Sequence, residues 1–338
     1  MRISVLNAWR NEEKPDNWIR GADFRPRASV RPAVPLALAI YVGVGLVAAI
    51  GQEPALKAVG VLGNSAGLND RPIPYAYYTG IGLDGRGRLY LAGAGSEVPV
   101  CDQDGKCLAL IPLPDTEGML ENSLVARAGD SMFLVANHPA QPRGALYRID
   151  AKPGDAGQLK AERVMAGAGW WAISPLPDAA GRIIVGQSAP DKLTYTVTAF
   201  VPPSGQATSL FTIAQPKGAT RPWRHIIQAE PDGLINILHA GGVNWSGRYN
   251  AKGERTADGL EGLIVDEFRY HFGYDGDQRR MDITDMRAAP GDCGSPAHEI
   301  RMPAQMVRDN DRFFFAGRGG ALEARWDGTT FQYVRRIG

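Results

Sequence analysis

Five times along the chain, a Gly/Asp turn leads into a short apolar strand, and a second Gly-bearing turn follows further on. The first turns read Asp84-Gly85-Arg86-Gly87-Arg88, Ala128-Gly129-Asp130, Asp178-Ala179-Ala180-Gly181, Pro231-Asp232-Gly233 and Asp309-Asn310-Asp311. The strands after them read Leu89-Tyr90-Leu91, Met132-Phe133-Leu134-Val135, Ile183-Ile184-Val185, Leu234-Ile235-Asn236-Ile237-Leu238 and Phe313-Phe314-Phe315. The second turns are Asp102-Gln103-Asp104-Gly105, Asp150-Ala151-Lys152-Pro153-Gly154, Pro202-Pro203-Ser204-Gly205, Asn250-Ala251-Lys252-Gly253 and Trp326-Asp327-Gly328. Each supplies Gly where φ must be positive. A repeat of roughly fifty residues with several strands per unit marks a β-propeller, in which one blade cannot bury its face alone.

The expected fold is therefore all-β, a propeller of four-stranded antiparallel blades. The first blade is read over 77–113, with strands at 78–83, 88–92, 98–101 and 106–111. Blades at 121–164, 170–214, 224–257 and 305–337 follow. Residues 194–201 alternate Thr, Tyr and Val in period two, a strong strand signal. The interval from Gly233 to Asp311 is too wide for one blade. A degenerate blade with strands at 262–265 and 268–272 makes the count six; a loop insertion makes it five. Six is the expectation and five the alternative.

Residues 34–50 carry no charge, follow Arg20, Arg25, Arg27 and Arg31, and end on Ala49-Ile50-Gly51. Such a run suits a signal-peptide core or a short apolar membrane helix, with the basic flank held on the cytoplasmic side. The chain is thus divided into a leader at 1–51 and a single propeller at 52–338. The expected location is extracytoplasmic, periplasmic or secreted, with 34–50 as an N-terminal membrane anchor if the leader is retained. Cys101 and Cys107 flank a tight turn. With Gly105 in the left-handed position they fall opposite each other, within reach of a disulfide. Cys293 is left over, and the spacing excludes the usual zinc pairs.

Gly60-Val61-Leu62-Gly63, then Gly80 to Ala92, then Cys101-Asp102-Gln103-Asp104-Gly105-Lys106 resemble an NHL-type repeat. The resemblance implies a six-bladed propeller and leaves the activity open, because related propellers serve as binding platforms, lyases and hydrolases. The Pro-x-Gly opening of that family is absent from most units here.

Loops joining second to third strands, and links between blades, share one face around the central channel. On them fall His138, His239 and Trp245, the linkers bearing Trp171 and Trp223-Arg224-His225, and Arg318. Three of five histidines thus gather on one rim, and the opposite Gly/Asp turns carry none. Trp171, Trp223, Arg224, Trp245 and Arg318 combine flat apolar faces with forked donors, a set suited to a small molecule, a glycan or a protein partner. His138, His225 and His239 could instead hold a divalent metal over the channel for a lyase or hydrolase. A third reading has the same residues plug the channel and satisfy hydrogen bonds between blades. Formal net charge is +1, and no basic stripe with interleaved aromatics occurs, which argues against nucleic acid.

Overall fold

The computed structural model describes residues 78–338 except 94, 115–120, 139–140, 153, 155, 192–193, 215–224, 240–245, 261, 276–277, 286–304, 318–319, 330 and 338. The expected leader at 1–51 lies outside the described residues, and among these no helix is long and apolar enough to cross a membrane.

Four-residue hairpin logic sets the local structure. Asp84 Oδ1 accepts the amides of Arg86 (2.8 Å) and Arg88 (3.0 Å). Asp102 Oδ1 takes those of Asp104 and Lys106, Asp178 Oδ1 those of Ala180 and Arg182, and Asn250 Oδ1 those of Lys252 and Glu254. In each case the side chain mimics a backbone turn, and the glycine three residues on has φ between 74° and 87°. The Asp/Asn-x-x-Gly spacing is thus a hairpin instruction read within five residues.

Consecutive strands pair antiparallel into six sheets. The first holds β1 (Tyr78–Leu83), β2 (Leu89–Gly93), β3 (Glu97–Cys101) and β4 (Cys107–Pro112). The second holds β5 (Glu121–Ala128), β6 (Ser131–Asn137), β7 (Arg143–Asp150) and β8 (Ala161–Ala168). In the third are β9 (Trp170–Ile173), β10 (Ile183–Ser188), β11 (Thr194–Val201) and β12 (Gln206–Ala214), and in the fourth β13 (His225–Ala229), β14 (Ile235–His239), β15 (Gly247–Tyr249) and β16 (Arg255–Asp258). A three-stranded fifth sheet comprises β17 (Leu263–Val265), β18 (Phe268–Asp275) and β19 (Gln278–Asp285). The sixth holds β20 (Met306–Asp309), β21 (Arg312–Gly317), β22 (Gly320–Trp326) and β23 (Phe331–Ile337). Among the described residues five sheets are complete four-stranded blades, the smaller of the two counts. The stretch read as a degenerate blade forms the three-stranded sheet between the last two.

Burial falls from the axis outward. Every residue of β2 is buried, whereas every residue of β16 is exposed. Apolar clusters fill the wedges between successive sheets, because each inner strand is covered on both faces. Tyr90, Val98, Val100 and Ile111 meet Val125, Met132, Leu134 and Tyr147. Phe133, Val135 and Leu146 meet Trp171, Ile173, Ile183 and Phe200. The run Phe313-Phe314-Phe315 is fully buried because its alternation splits it. Phe313 and Phe315 pack with Phe268 and Tyr270 of the fifth sheet, and Phe314 with Ile81, Leu89 and Leu91 of the first.

Among the described residues inner strands of neighbouring sheets share no β-ladder, and side-chain amides take its place. Asn137 donates from Nδ2 to the Trp171 carbonyl (2.8 Å) and accepts the Trp171 amide on Oδ1 (2.7 Å). Gln228 does the same with Ile264, and Asn236 with Leu260. Gln305 Oε1 accepts two amides, from Ile81 (3.0 Å) and Val125 (2.8 Å), and its Nε2 donates to the Val125 carbonyl (2.7 Å). One side chain of the last sheet therefore ties together the first and the second.

Among the described residues no strand is exchanged between the first and sixth sheets, and packing and polar contacts join them at that seam. Glu323, 2% exposed, accepts from Arg312 Nε (2.7 Å) and Arg335 Nε (2.8 Å). Both arginines reach across to the β3–β4 turn. Arg312 donates to Gln103 Oε1 and to the Gln103 carbonyl, and Arg335 to that carbonyl (2.7 Å) and to Asp104 (2.9 Å).

Two expectations follow. Gln305→Ala strands three buried backbone groups, at about 1–3 kcal/mol each. It should lower the unfolding free energy by on the order of 3–5 kcal/mol in urea titration, whereas exposed Gln332→Ala should change it little. For Glu323, burial opposes the charged form, but hydrogen bonds from Arg312 and Arg335 outweigh it and hold the carboxyl below its ordinary 4.5. A depressed folded value stabilises the protein above about pH 4.5, and that stability is lost as the pH falls through the lower folded value. Thermal unfolding followed from pH 6 down to pH 3 should show an acid-side decline that is shallower in Glu323→Gln.

Candidate functional site

Strand direction alternates identically in every sheet, so starts of inner strands and ends of second strands share one edge. Trp170 opens β9 and His225 opens β13, while His239 closes β14 and His138 directly follows β6. The backbone register brings some of these together. His225 and His239 are direct partners across β13 and β14. Asn137, one residue before His138, is bonded to Trp171, so the His138 loop abuts the start of β9. Further down, the Ala229 amide donates to Ser174 Oγ (3.0 Å). Ser174 lies four residues after Trp170 and Ala229 four after His225, which levels the starts of β9 and β13 on neighbouring sheets.

Three successive sheets thus contribute to one arc of the rim, with the third sheet's tryptophans between the second sheet's His138 and the fourth sheet's His225 and His239. Trp223, Arg224, Trp245 and Arg318 lie outside the described residues. His138 is half-buried, and its amide donates to the Arg143 carbonyl (3.0 Å) in the β6–β7 connection. Among the described residues no group of three His, Cys, Asp or Glu side chains converges as a metal site.

The two adjacent tryptophans have opposite fates. Trp171 is 5% exposed and belongs to the apolar wedge between the second and third sheets. Its indole lies over Gly144 and Gly167, where an added Cβ would come within 2.7 Å and 3.2 Å of the ring. The ring is packing, and small residues on β7 and β8 make room for it. Trp170, on the other face of the strand, is half-exposed. Alternation alone says that one of the two points inward. Which one is settled by the facing glycines, far away in sequence.

The opposite edge is built from ion pairs. Asp84 and Arg88 are buried together, Arg88 Nε to Asp84 Oδ2 at 2.7 Å, and the Tyr90 hydroxyl donates to the same oxygen at 3.0 Å. Burial first, and the Asp84 charge second, push the Tyr90 phenol up. Glu230 accepts from Arg248 Nη2 (2.6 Å) and Arg269 (3.2 Å). These carboxylates are engaged by arginine and secure hairpins. The amides Gln228, Asn236 and Gln305 are fasteners that turn motifs do not reveal; the signal for two of them is a carboxamide inside an apolar strand, as in Ile226-Ile227-Gln228 and Ile235-Asn236-Ile237.

Cys101 and Cys107 are direct partners at the end of β3 and start of β4, both buried, and the structure carries them as thiols. The Cys107 thiol donates to the Ala109 carbonyl at 3.6 Å.

No family model matches the chain, and no curated protein matches it. Similar solved structures include a virginiamycin B lyase from Staphylococcus aureus, 14% identical over 77% of this chain and 84% of that one, with a TM-score of 0.48. A protein from Lactobacillus plantarum is 12% identical over 77% and 84% (TM-score 0.46), and TolB from Acinetobacter baumannii 15% over 75% and 67% (TM-score 0.44). At these values the likenesses carry no functional argument. The fold stands on the sheet topology, and function is argued from the rim.

Proposed function

We propose that this is an exported, NHL-like propeller whose rim binds a small ligand, a glycan or a protein partner without chemistry of its own. The observation that carries the reading is the levelled arc described above: the start of β9 with half-exposed Trp170 beside the start of β13 with His225, registered on His239. A half-buried indole next to imidazole-bearing strand ends offers an apolar edge with adjustable donors and acceptors, as sugar and partner recognition requires. Trp223, Arg224, Trp245 and Arg318 extend the same rim in this reading, and Trp171 supports it from below by packing.

One observation favours a second reading. Residues directly opposite in an antiparallel pair have Cβ atoms about 4.5–5.5 Å apart on one face, a spacing at which two imidazoles can share a cation. His225 and His239 hold such positions. In that version, a divalent metal with His138 as third ligand would support a lyase or hydrolase.

Titration of the purified protein with a panel of neutral and anionic oligosaccharides, read by indole fluorescence, tests the first reading. A saturable response lost in Trp170→Ala is expected; a flat titration across the panel removes the ligand version. Trp170→Ala should cost less than about 1 kcal/mol of stability. Trp171→Ala, in contrast, should cost about 3–5 kcal/mol in denaturant unfolding. Calorimetric titration with Zn²⁺ separates the metal version: stoichiometric uptake abolished in His225→Ala and in His239→Ala would replace the binding reading, and no uptake ends the metal one.

A further inference from the structure

The β3–β4 hairpin is the part of the first sheet that grips the sixth. Its turn supplies the Gln103 and Asp104 acceptors for Arg312 and Arg335, and Gln103 Nε2 donates to Asp309 at 2.6 Å. Gly105 of the same turn sits against Ile337, where an added Cβ would come within 3.1 Å of that side chain. Directly behind the turn, Cys101 and Cys107 belong to the apolar cluster that joins the two sheets, together with Phe314, Ala316, Ala321 and Ile337. The Asp102 amide donates to the Lys106 carbonyl at 2.9 Å and the Gly105 amide to the Asp102 carbonyl at 3.1 Å. Residues 102 and 106 therefore close the turn with a hydrogen bond, which makes 101 and 107 the adjacent non-hydrogen-bonded pair, the closer of the two kinds, with Cα atoms about 4.5 Å apart. That separation falls in the range of a disulfide.

We propose that Cys101 and Cys107 form a disulfide before the ring closes, and that this bond fixes the turn which fastens the first sheet to the sixth. Formation removes one proton from each thiol and passes two electrons to a small-molecule disulfide such as oxidised glutathione, which leaves as two thiols while the Sγ–Sγ bond forms. The order of events follows from burial. At 0% and 2% exposure, behind the sixth sheet, the thiols are closed to an oxidant once the seam is made. Contact with the Cys107 thiol, and then burial, push the Cys101 thiol up, away from the reactive thiolate. In the unfolded chain both are ordinary cysteines. The bond encloses only a short loop, so its effect is local: it holds the register in which Gln103, Asp104 and Gly105 face Arg312, Arg335 and Ile337.

The test refolds the full chain in a glutathione redox buffer, quenches with iodoacetamide and digests with trypsin. Cleavage after Arg88, Lys106 and Arg127 places the two cysteines on different peptides, 89–106 and 107–127. The expected product is those two peptides joined. Hydrogen exchange on the oxidised protein should then be about tenfold slower over 103–106 and 331–337 than on the Cys101→Ala/Cys107→Ala double variant, with β9 to β12 unchanged. Added to already folded reduced protein, the same buffer should link the pair at least tenfold more slowly than during refolding. Two alkylated thiols after refolding, a link to Cys293 in place of either partner, equal exchange at the seam, or equally fast oxidation of the folded protein would each overturn the proposal.

Discussion

A propeller's inner strands run side by side without a ladder between them, yet their amides and carbonyls are buried and need partners. In this chain carboxamide side chains supply those partners. A Gln or Asn presents the same donor and acceptor as a peptide group, so it can occupy a vacant place beside a neighbouring strand as if it were one further residue. Asn137, Gln228 and Asn236 each close a two-bond ring on one backbone residue of the next segment. Gln305 serves two sheets at once. Because hydrogen bonds of this kind need alignment to tenths of an ångström, they set the height of each sheet against the next in a way that apolar wedges do not.

The junctions are not equal. Apolar clusters join the first sheet to the second, the second to the third, the third to the fourth, the fifth to the sixth and the sixth to the first. Between the fourth and fifth sheets only Ile226 packs on an apolar cluster among the described residues, and the other described contacts are polar: Gln228 to Ile264, Asn236 to Leu260, and Glu230 to Arg269. A buried charge pair contributes little net stability against its desolvation, so this junction relies on the amides. The seam between sixth and first sheets combines both devices. Its arginines are anchored on Glu323 before they reach Gln103, which limits the entropy lost in each further contact.

Local instructions were legible and distant ones were not. The Asp/Asn-x-x-Gly turns could be read because the carboxylate, the two amides it binds and the left-handed glycine all lie within five residues. Strand boundaries of the first blade followed from them to within a residue or two. The fifth sheet was harder, since its β17–β18 connection passes through Asp266 at φ 47° without any glycine in the turn. For the fasteners, Gln305 and Val125 are 180 positions apart, and no pattern near either announces the other. The rim could be inferred from topology alone, because strand alternation decides which loops share an edge. The partition of Trp170 and Trp171 could not, since it depends on Gly144 and Gly167 in another sheet.

That division bears on where function can reside. The fasteners lie just inside the rim: Asn137 precedes His138, Gln228 follows His225 by three residues, and Asn236 precedes His239 by three. The backbone under each candidate side chain is therefore held to its neighbour by hydrogen bonds that no ligand need share. Such an arrangement separates scaffold from recognition. Residues at strand ends and in the loops beyond them can change without disturbing the ring, whereas the amides beneath them cannot. The relative heights of the described strands that lead to the rim are set by these hydrogen bonds when the chain folds. In the proposed binding role, preorganisation comes from the polar groups of the core, and specificity from the few side chains the core does not use.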